Sequence, residues 1–181
     1  VDENGIVEDD VFVSNNSSSL GDVVQSMSII NDNAYIMVNN SSKIEVVSID
    51  SMLHVATIDD VVSPRYIAKA SNDKAYVTDW GINGVHVIDL VTNTVSSTIA
   101  CGIGPEGIIV SNGFAYVCNV GGWGFDNTVS IINTSTDMIE NTLTVGDKPN
   151  SVVVDVNGAV WILTGGYTEY DANWNVVSQT A

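Results

Sequence analysis

Residues 75–104 read AYVTDWGINGVHVIDLVTNTVSSTIACGIG, and this phrase decides the fold. It begins with a short apolar run at Ala75–Thr78, followed by a loop carrying Asp79, Trp80, Gly81 and Gly84. A second run spans Val85–Leu90, a polar turn follows at Thr92 and Asn93, and a third run ends at Ile99. Short runs rich in Val, Ile, Tyr and Thr, bounded by Gly, Asn or Asp, are strands joined by tight turns. The phrase recurs downstream as AYVCNVGGWGFDNTVSIINTSTDMIENTLTVG (115–146) and upstream as AYIMVNNSSKIEVVSIDSMLHVATI (34–58).

Self-similarity at a fixed period governs the fold before any local propensity does. The aromatic of the second strand falls at Tyr35, Tyr76, Tyr116 and Trp161, with spacings of 41, 40 and 45 residues. The chain's three prolines, Pro64, Pro105 and Pro149, follow the same rhythm, each after a polar or Gly-containing link and before an apolar run. Four short strands per repeat of roughly 40 to 45 residues is the period of a β-propeller blade. Helical repeats of that length are disfavoured, because the apolar runs are too short and too β-branched. The predicted fold is all-β: a propeller of four-stranded antiparallel blades at about 25–58, 65–100, 106–144 and 150–179. Residues 1–14 are expected to supply the outer strand of a preceding blade. Asn31-Asp32, Asn72-Asp73, Asn112-Gly113 and Asn157-Gly158 fall between first and second strands, where hairpin turns favour Asn and Gly. Open propeller edges are a liability, so the arc is expected to belong to a larger ring or to self-associate through its open edges.

The composition bounds the function. The chain has 181 residues, 45% hydrophobic, with 22 acidic and five basic residues and a net charge of −17. That charge argues against binding nucleic acid or an anionic membrane through a broad surface. No apolar run approaches the ~20 residues of a membrane-spanning helix, so the chain is not expected to span a membrane. A surface filled with Asn, Ser and Thr fits an exported protein, and the first residues are not a basic-then-apolar stretch, so any secretion signal is expected to have been removed or never to have existed. Cys101 and Cys118 allow one bridge, but two buried thiols are the favoured reading.

The repeat "AYVTD…VIDLVTNTV…TI" resembles the YVTN-type propeller repeat, and LGDVVQSMSIINDNAYIMVNNSSKIEVVSIDS (20–51) with SPRYIA (63–68) and DKAYVTDW (73–80) resembles the YncE-like envelope propellers of Bacteroidetes. The resemblance implies a seven-bladed ring of which about four blades are present. It also implies a periplasmic or cell-surface location. Some members are surface lipoproteins that capture corrinoids (vitamin B12 types) and sit on an outer-membrane transporter.

In a propeller the links between blades and the loops between second and third strands emerge on one face. Projecting the repeat gathers Arg65, Tyr66, Trp80, Glu106, Asn119, Trp123, Phe125, Asn150 and Tyr167 there. The rim thus collects two of the four tryptophans and the single arginine. Aromatics on a Gly-rich loop such as VGGWGFDN (120–127) bury nothing within their own blade, and exposed aromatics with Arg are what binding hot spots are made of. The bland alternatives are that Trp80 and Trp123 fold back as packing lids or are exposed by chance. His54 and His86 sit in strands, neither cysteine has a nearby His or Lys to activate it, and no G-x-S-x-G, H-E-x-x-H or P-loop occurs. No catalytic residue, metal ligand or cofactor is therefore assigned. Asp79, Asp126 and Asn119 offer oxygen ligands on adjacent blades, but Asp and Asn at repeat positions are read first as turn caps, as are Asp89 and Asn133. Three functions follow: a non-enzymatic envelope binding module for a small ligand or protein partner, with a corrinoid the candidate the resemblance supplies; a metal-assisted hydrolase or lyase; and a structural or adhesive surface repeat.

Overall fold

A computed structural model describes Gly5 and residues 7–180. Three sheets of four antiparallel strands follow one another along the chain. The first blade holds β1 (Val24–Ile30), β2 (Asn33–Val38), β3 (Lys43–Ser48) and β4 (His54–Ile58). The second holds β5 (Pro64–Lys69), β6 (Lys74–Asp79), β7 (Gly84–Asp89) and β8 (Thr94–Ala100). The third holds β9 (Pro105–Ser111), β10 (Phe114–Asn119), β11 (Thr128–Asn133) and β12 (Met138–Thr144). The first strand of each blade is innermost, and β1, β5 and β9 lie side by side, followed by β13 (Pro149–Val154).

The core lies between blades. Tyr35, Met37, Ile44 and Val46 of the first blade interleave with Ile67, Ala75, Val77 and Ile88 of the second. Tyr76, Val85, Val87 and Ile99 then meet Ala115, Val117 and Ile132 of the third. Side chains alternate across a strand, so the middle strands of a sandwiched blade bury both faces, and each buried Val or Ile contributes about 1.5–3 kcal/mol. A repeating polar lock accompanies this packing: the Tyr35 hydroxyl donates to Asn93 Oδ1 at 2.8 Å, and the Tyr76 hydroxyl donates to the Asp137 carboxylate. Asn93 and Asp137 both sit at left-handed positions (φ 53° and 55°) in the turn after the third strand of the next blade.

Two expectations are corrected. Of the residues assigned to a preceding outer strand, 1–4 and 6 lie outside the described residues, and Val11–Asn16 form a short helix, α1. Among the described residues no strand pairs with this segment, and a helix lets it bond part of its backbone internally. Phe12 settles on Ala34, Ile36, Val38 and Val47, and Asn16 ties the helix to the first blade by donating to Met52 O (2.8 Å) and accepting from the His54 amide (2.7 Å). The fourth repeat is not one sheet but two pairs: β13 with β14 (Val160–Thr164), and β15 (Thr168–Tyr170) with β16 (Val176–Gln179). Val153, Trp161 and Leu163 of the β13–β14 pair are exposed, so no packing across this repeat holds β15 against β14 as the buried middle strands of the other blades are held. Met27 and Ile29 at one end of the arc, and Val153, Trp161 and Leu163 at the other, are exposed.

Candidate functional site: an aromatic cleft at the mouth of the arc

The inner strand of each blade begins with an irregularity. The register breaks between Val24 and Ser26, Pro64 and Ile67, and Pro149 and Ser151, and on β10 between Val117 and Asn119, opposite the Pro105–Ile108 stretch of β9. A bulge takes a residue out of the ladder and re-aims its side chain. The residues so released are Gln25, Arg65 with Tyr66, Glu106 with Gly107, and Asn150. Thr78 fixes the second bulge, accepting from the Tyr66 amide at 3.1 Å and donating to Glu106 O at 2.8 Å.

Arg65 therefore meets Glu106 as its counterpart in the next repeat. Its Nε donates to Oε2 at 2.9 Å and an Nη to Oε1 at 2.8 Å, a bidentate pair joining adjacent blades. The guanidinium also lies 4.3 Å from the centre of the Trp80 ring. The ring of Trp123 meets Trp80 edge-on, with centroids 6.0 Å apart and planes at 82°. Arg65, Trp80 and Trp123, with Asn39, Asn40, Ser63, Asn83 and the backbone of Gly121–Gly124, line a cleft of about 830 Å³. Trp123 is fully exposed, whereas the Trp80 indole nitrogen is buried without a hydrogen-bond partner.

The loop that carries Trp123 is held at its base. Val120 and Gly121 donate to the carbonyls of Gly104 and Ile103 at 3.0 and 2.8 Å. Gly104 has φ 59°, and a Cβ there would collide with the Gly122 backbone. Lys148 donates from Nζ to Gly124 O at 2.9 Å and lies 5.6 Å from the Tyr167 ring, which stacks edge-on with Phe125 at 5.4 Å.

The rim read from the sequence thus divides. Arg65, Trp80 and Trp123 share the cleft. Tyr66, Glu106 and Asn150 line a smaller groove of about 430 Å³ along the inner strands, and Phe125 and Tyr167 form their own pair. Asn119 does not face the rim, a correction: it is wholly buried, its Nδ2 donating to Thr128 Oγ1 (2.9 Å) and Ser130 Oγ (3.0 Å). Counting from Tyr116 put it at the loop edge, but it is the last residue of β10 and turns inward. Asn83 was missed; its Oδ1 accepts from the Gly104 amide at 3.0 Å, and its position in a turn (φ 46°) gave no sign of that reach.

The other titratable groups serve the scaffold. Asp79 accepts from the amides of Val62 (2.8 Å), Ser63 (2.9 Å) and Gly81 (2.7 Å) and pairs with His86 Nε2 at 3.0 Å. Burial alone would raise its carboxyl, but the bonds from His86 and the three amides outweigh it and hold the carboxyl below the ordinary value. Asp126 holds the next link in the same way, accepting from the Ile103 amide (2.7 Å) and the Thr128 amide (2.8 Å). Asp89 accepts from the Val91 and Thr92 amides and Asn133 from that of Ser135, as turn caps do. Cys101 and Cys118 are free thiols; burial pushes them up to about 11 and about 12. Among the described residues no three His, Cys, Asp or Glu converge in a metal-holding cluster.

An arc of four-stranded antiparallel blades with interleaved cores is a β-propeller, and solved propellers match it. The chain superposes on Kuenenia stuttgartiensis hydrazine synthase with a TM-score of 0.71 at 19% identity, covering 99% of this chain and 52% of that one. For dihydro-heme d1 dehydrogenase NirN in complex with DHE the TM-score is 0.66 at 16% identity, over 87% of this chain and 37% of that one. For the WD40 β-propeller domain of Doa1 it is 0.65 at 15% identity, over 77% and 47%. The chain therefore spans about half the length or less of these proteins. A 48-residue stretch is 48% identical to PE-PGRS family protein PE_PGRS18 of Mycobacterium tuberculosis, over 26% of this chain and 10% of that protein. Residues 1–172 match the family described as Domain of unknown function DUF5074, and the chain belongs to it. The fold fits a binding or structural module, and its structural neighbours include enzymes.

Proposed function

We propose that the chain is a non-enzymatic binding module that holds a small, partly apolar ligand against Trp80 and Trp123. The observation that carries this reading is a fully exposed tryptophan on a braced glycine loop, standing over a cleft whose second tryptophan keeps its indole N–H unpartnered. At about 830 Å³ the cleft falls within the range that holds small molecules. The carboxylates a hydrolase or lyase would need, Asp79 and Asp126, are engaged by backbone amides, and the thiols are held protonated.

The resemblance to YVTN and YncE-like envelope propellers supplies the best-specified ligand, a corrinoid, whose flat ring would stack on tryptophan and whose rim amides would meet Asn40 and Asn83. The same resemblance supplies an exported, envelope-bound setting, with an outer-membrane transporter as protein partner. Self-association through the exposed ends of the arc belongs to this reading and is measured by light scattering. Isothermal titration of the chain with cyanocobalamin, beside tryptophan fluorescence, tests the ligand: binding at micromolar concentration with quenching lost in Trp123→Ala supports it. Absence of heat and of quenching rejects the corrinoid.

A further inference from the structure

The cleft contains the one arginine of a chain with net charge −17, and that arginine is already paired with a carboxylate. Its Nε and one Nη donate to Glu106 at 2.9 and 2.8 Å, and the two side chains, largely shielded from solvent, cancel each other's charge. Lys148 donates to the Gly124 carbonyl and lies over Tyr167, outside the lining of the cleft. The remaining cations among the described residues are committed elsewhere: Lys43 to Glu45, Lys69 to Asn31, and Lys74 to Asp137. What lines the cleft beside that pair is neutral: two indole rings, the side chains of Asn39, Asn40, Ser63 and Asn83, each hydrogen-bonded to a neighbour but with polar atoms to spare, and glycine backbone.

From this we infer that Glu106 is the specificity-determining residue of the cleft: by neutralising Arg65 it makes the site select uncharged, amide- or hydroxyl-rimmed ligands and refuse carboxylate-bearing ones of the same shape. A free arginine stacked on an indole is an anion receptor, as guanidinium forks match carboxylates bidentately. Glu106, at the equivalent position of the next repeat, occupies the Nε–Nη edge of that fork and cancels its charge. Repulsion between the ligand's carboxylates and the acidic surround adds to the exclusion, because a field of one sign lowers the local concentration of like-charged solutes. Arg65 nonetheless keeps its stacking role, and Glu106 acts on the ligand through it.

The inference rests on the cleft being a binding site, so the test carries one arm that needs no ligand. In a Trp161→Phe/Trp174→Phe background the remaining tryptophans are Trp80 and Trp123, and their fluorescence is quenched in parallel by iodide, an anion, and by acrylamide, which is neutral. Glu106→Gln should raise the iodide constant by about two- to threefold with the acrylamide constant unchanged, the effect of uncovering one partly screened unit charge. The double variant Arg65→Gln/Glu106→Gln restores neutrality and should return the iodide constant to the parent value. The second arm compares cyanocobalamin with cobyrinic acid, the same macrocycle with carboxylates in place of amides, by isothermal titration. The parent should take only the amide form, and Glu106→Gln should gain the acid. An unchanged iodide constant in a folded Glu106→Gln variant overturns the inference, as does equal binding of both macrocycles by the parent. A parent that binds neither macrocycle while the iodide constants shift as expected rejects the corrinoid and leaves the charge-setting role of Glu106 standing.

Discussion

Arg65 and Glu106 stand one repeat apart, each released from its inner strand by a bulge, and they join adjacent blades through two hydrogen bonds of 2.9 and 2.8 Å. The pair fixes a guanidinium 4.3 Å from the Trp80 ring centre, so the back wall of the cleft is built from the second and third blades, and the third also supplies Trp123. A site assembled this way exists only when the blades pack in order.

The two tryptophans should therefore separate by experiment. Trp123→Ala removes a fully exposed ring and should leave stability within about 0.5 kcal/mol of the parent, since surface substitutions away from buried features rarely do more. If the ring is a binding anchor, ligand affinity falls by about tenfold, or ~1.4 kcal/mol. Trp80→Ala strips Arg65 of its stacking partner and should lower both affinity and the urea midpoint. Equal loss of stability in both variants would show that Trp123 packs as a lid.

Gly104 sets the position of the Trp123 loop. It adopts φ 59°, and a Cβ would run into the Gly122 backbone while the Gly104 carbonyl holds the Val120 amide at 3.0 Å. Gly104→Ala should cost about 1–3 kcal/mol, from the left-handed backbone and from displacing the loop. Gly113→Ala, also at positive φ (82°) but with no atom near the added Cβ, should cost only the backbone share. Urea denaturation of both variants measures the difference; equal losses would mean the loop is not braced by this contact.

The repeat was readable because its period lies in residue types with steric roles, the strand aromatics and the prolines. Prolines at 64, 105 and 149 also marked the start of the inner strands β5, β9 and β13, and so located Arg65, Glu106 and Asn150 at the mouth. What the sequence could not show was that these residues are bulged, because a bulge is a property of the pairing with β6, β10 and β14 rather than of the strand itself. Asn119 went astray for the same reason: whether the last residue of a strand turns to the rim or the core depends on one step of register. The helix at Val11–Asn16 carries a β-like VFV run, and only the uncovered apolar face of the first blade explains why Phe12 is better placed by a helix. The fourth repeat has the right strand residues, yet Val153, Trp161 and Leu163 stay exposed where the other blades bury their middle strands, and its sheet divides into two pairs.

The Tyr76–Asp137 lock predicts measurable coupling between the second and third blades. Burial raises the Tyr76 hydroxyl, and the hydrogen bond to Asp137 and that residue's charge raise it further, so it stays a donor throughout the neutral range. Lys74 Nζ reaches the same carboxylate at 2.7 Å. Tyr76→Phe should cost about 1–2 kcal/mol, and a double-mutant cycle with Asp137→Asn should return a coupling of about 1 kcal/mol. A coupling near zero would show that the lock only decorates the apolar interface.

Asp79 predicts the acid limb of stability. Its folded carboxyl titrates below the unfolded value of 3.8, because the hydrogen bonds from His86 and the amides of Val62, Ser63 and Gly81 overcome the opposing effect of burial. A carboxyl lowered on folding contributes stability that is fully present above its unfolded value. That contribution fades as the pH falls from about 3.8 through the lower folded value, where both states become protonated. Asp79→Asn keeps the shape but cannot hold three amides as a charged acceptor does, so it should be less stable than the parent at pH 6. The two curves should then converge as the pH drops below 3.8. Thermal unfolding across pH 2 to 7 measures both, and a difference that stays constant through that window would assign the contribution of Asp79 to packing instead of charge.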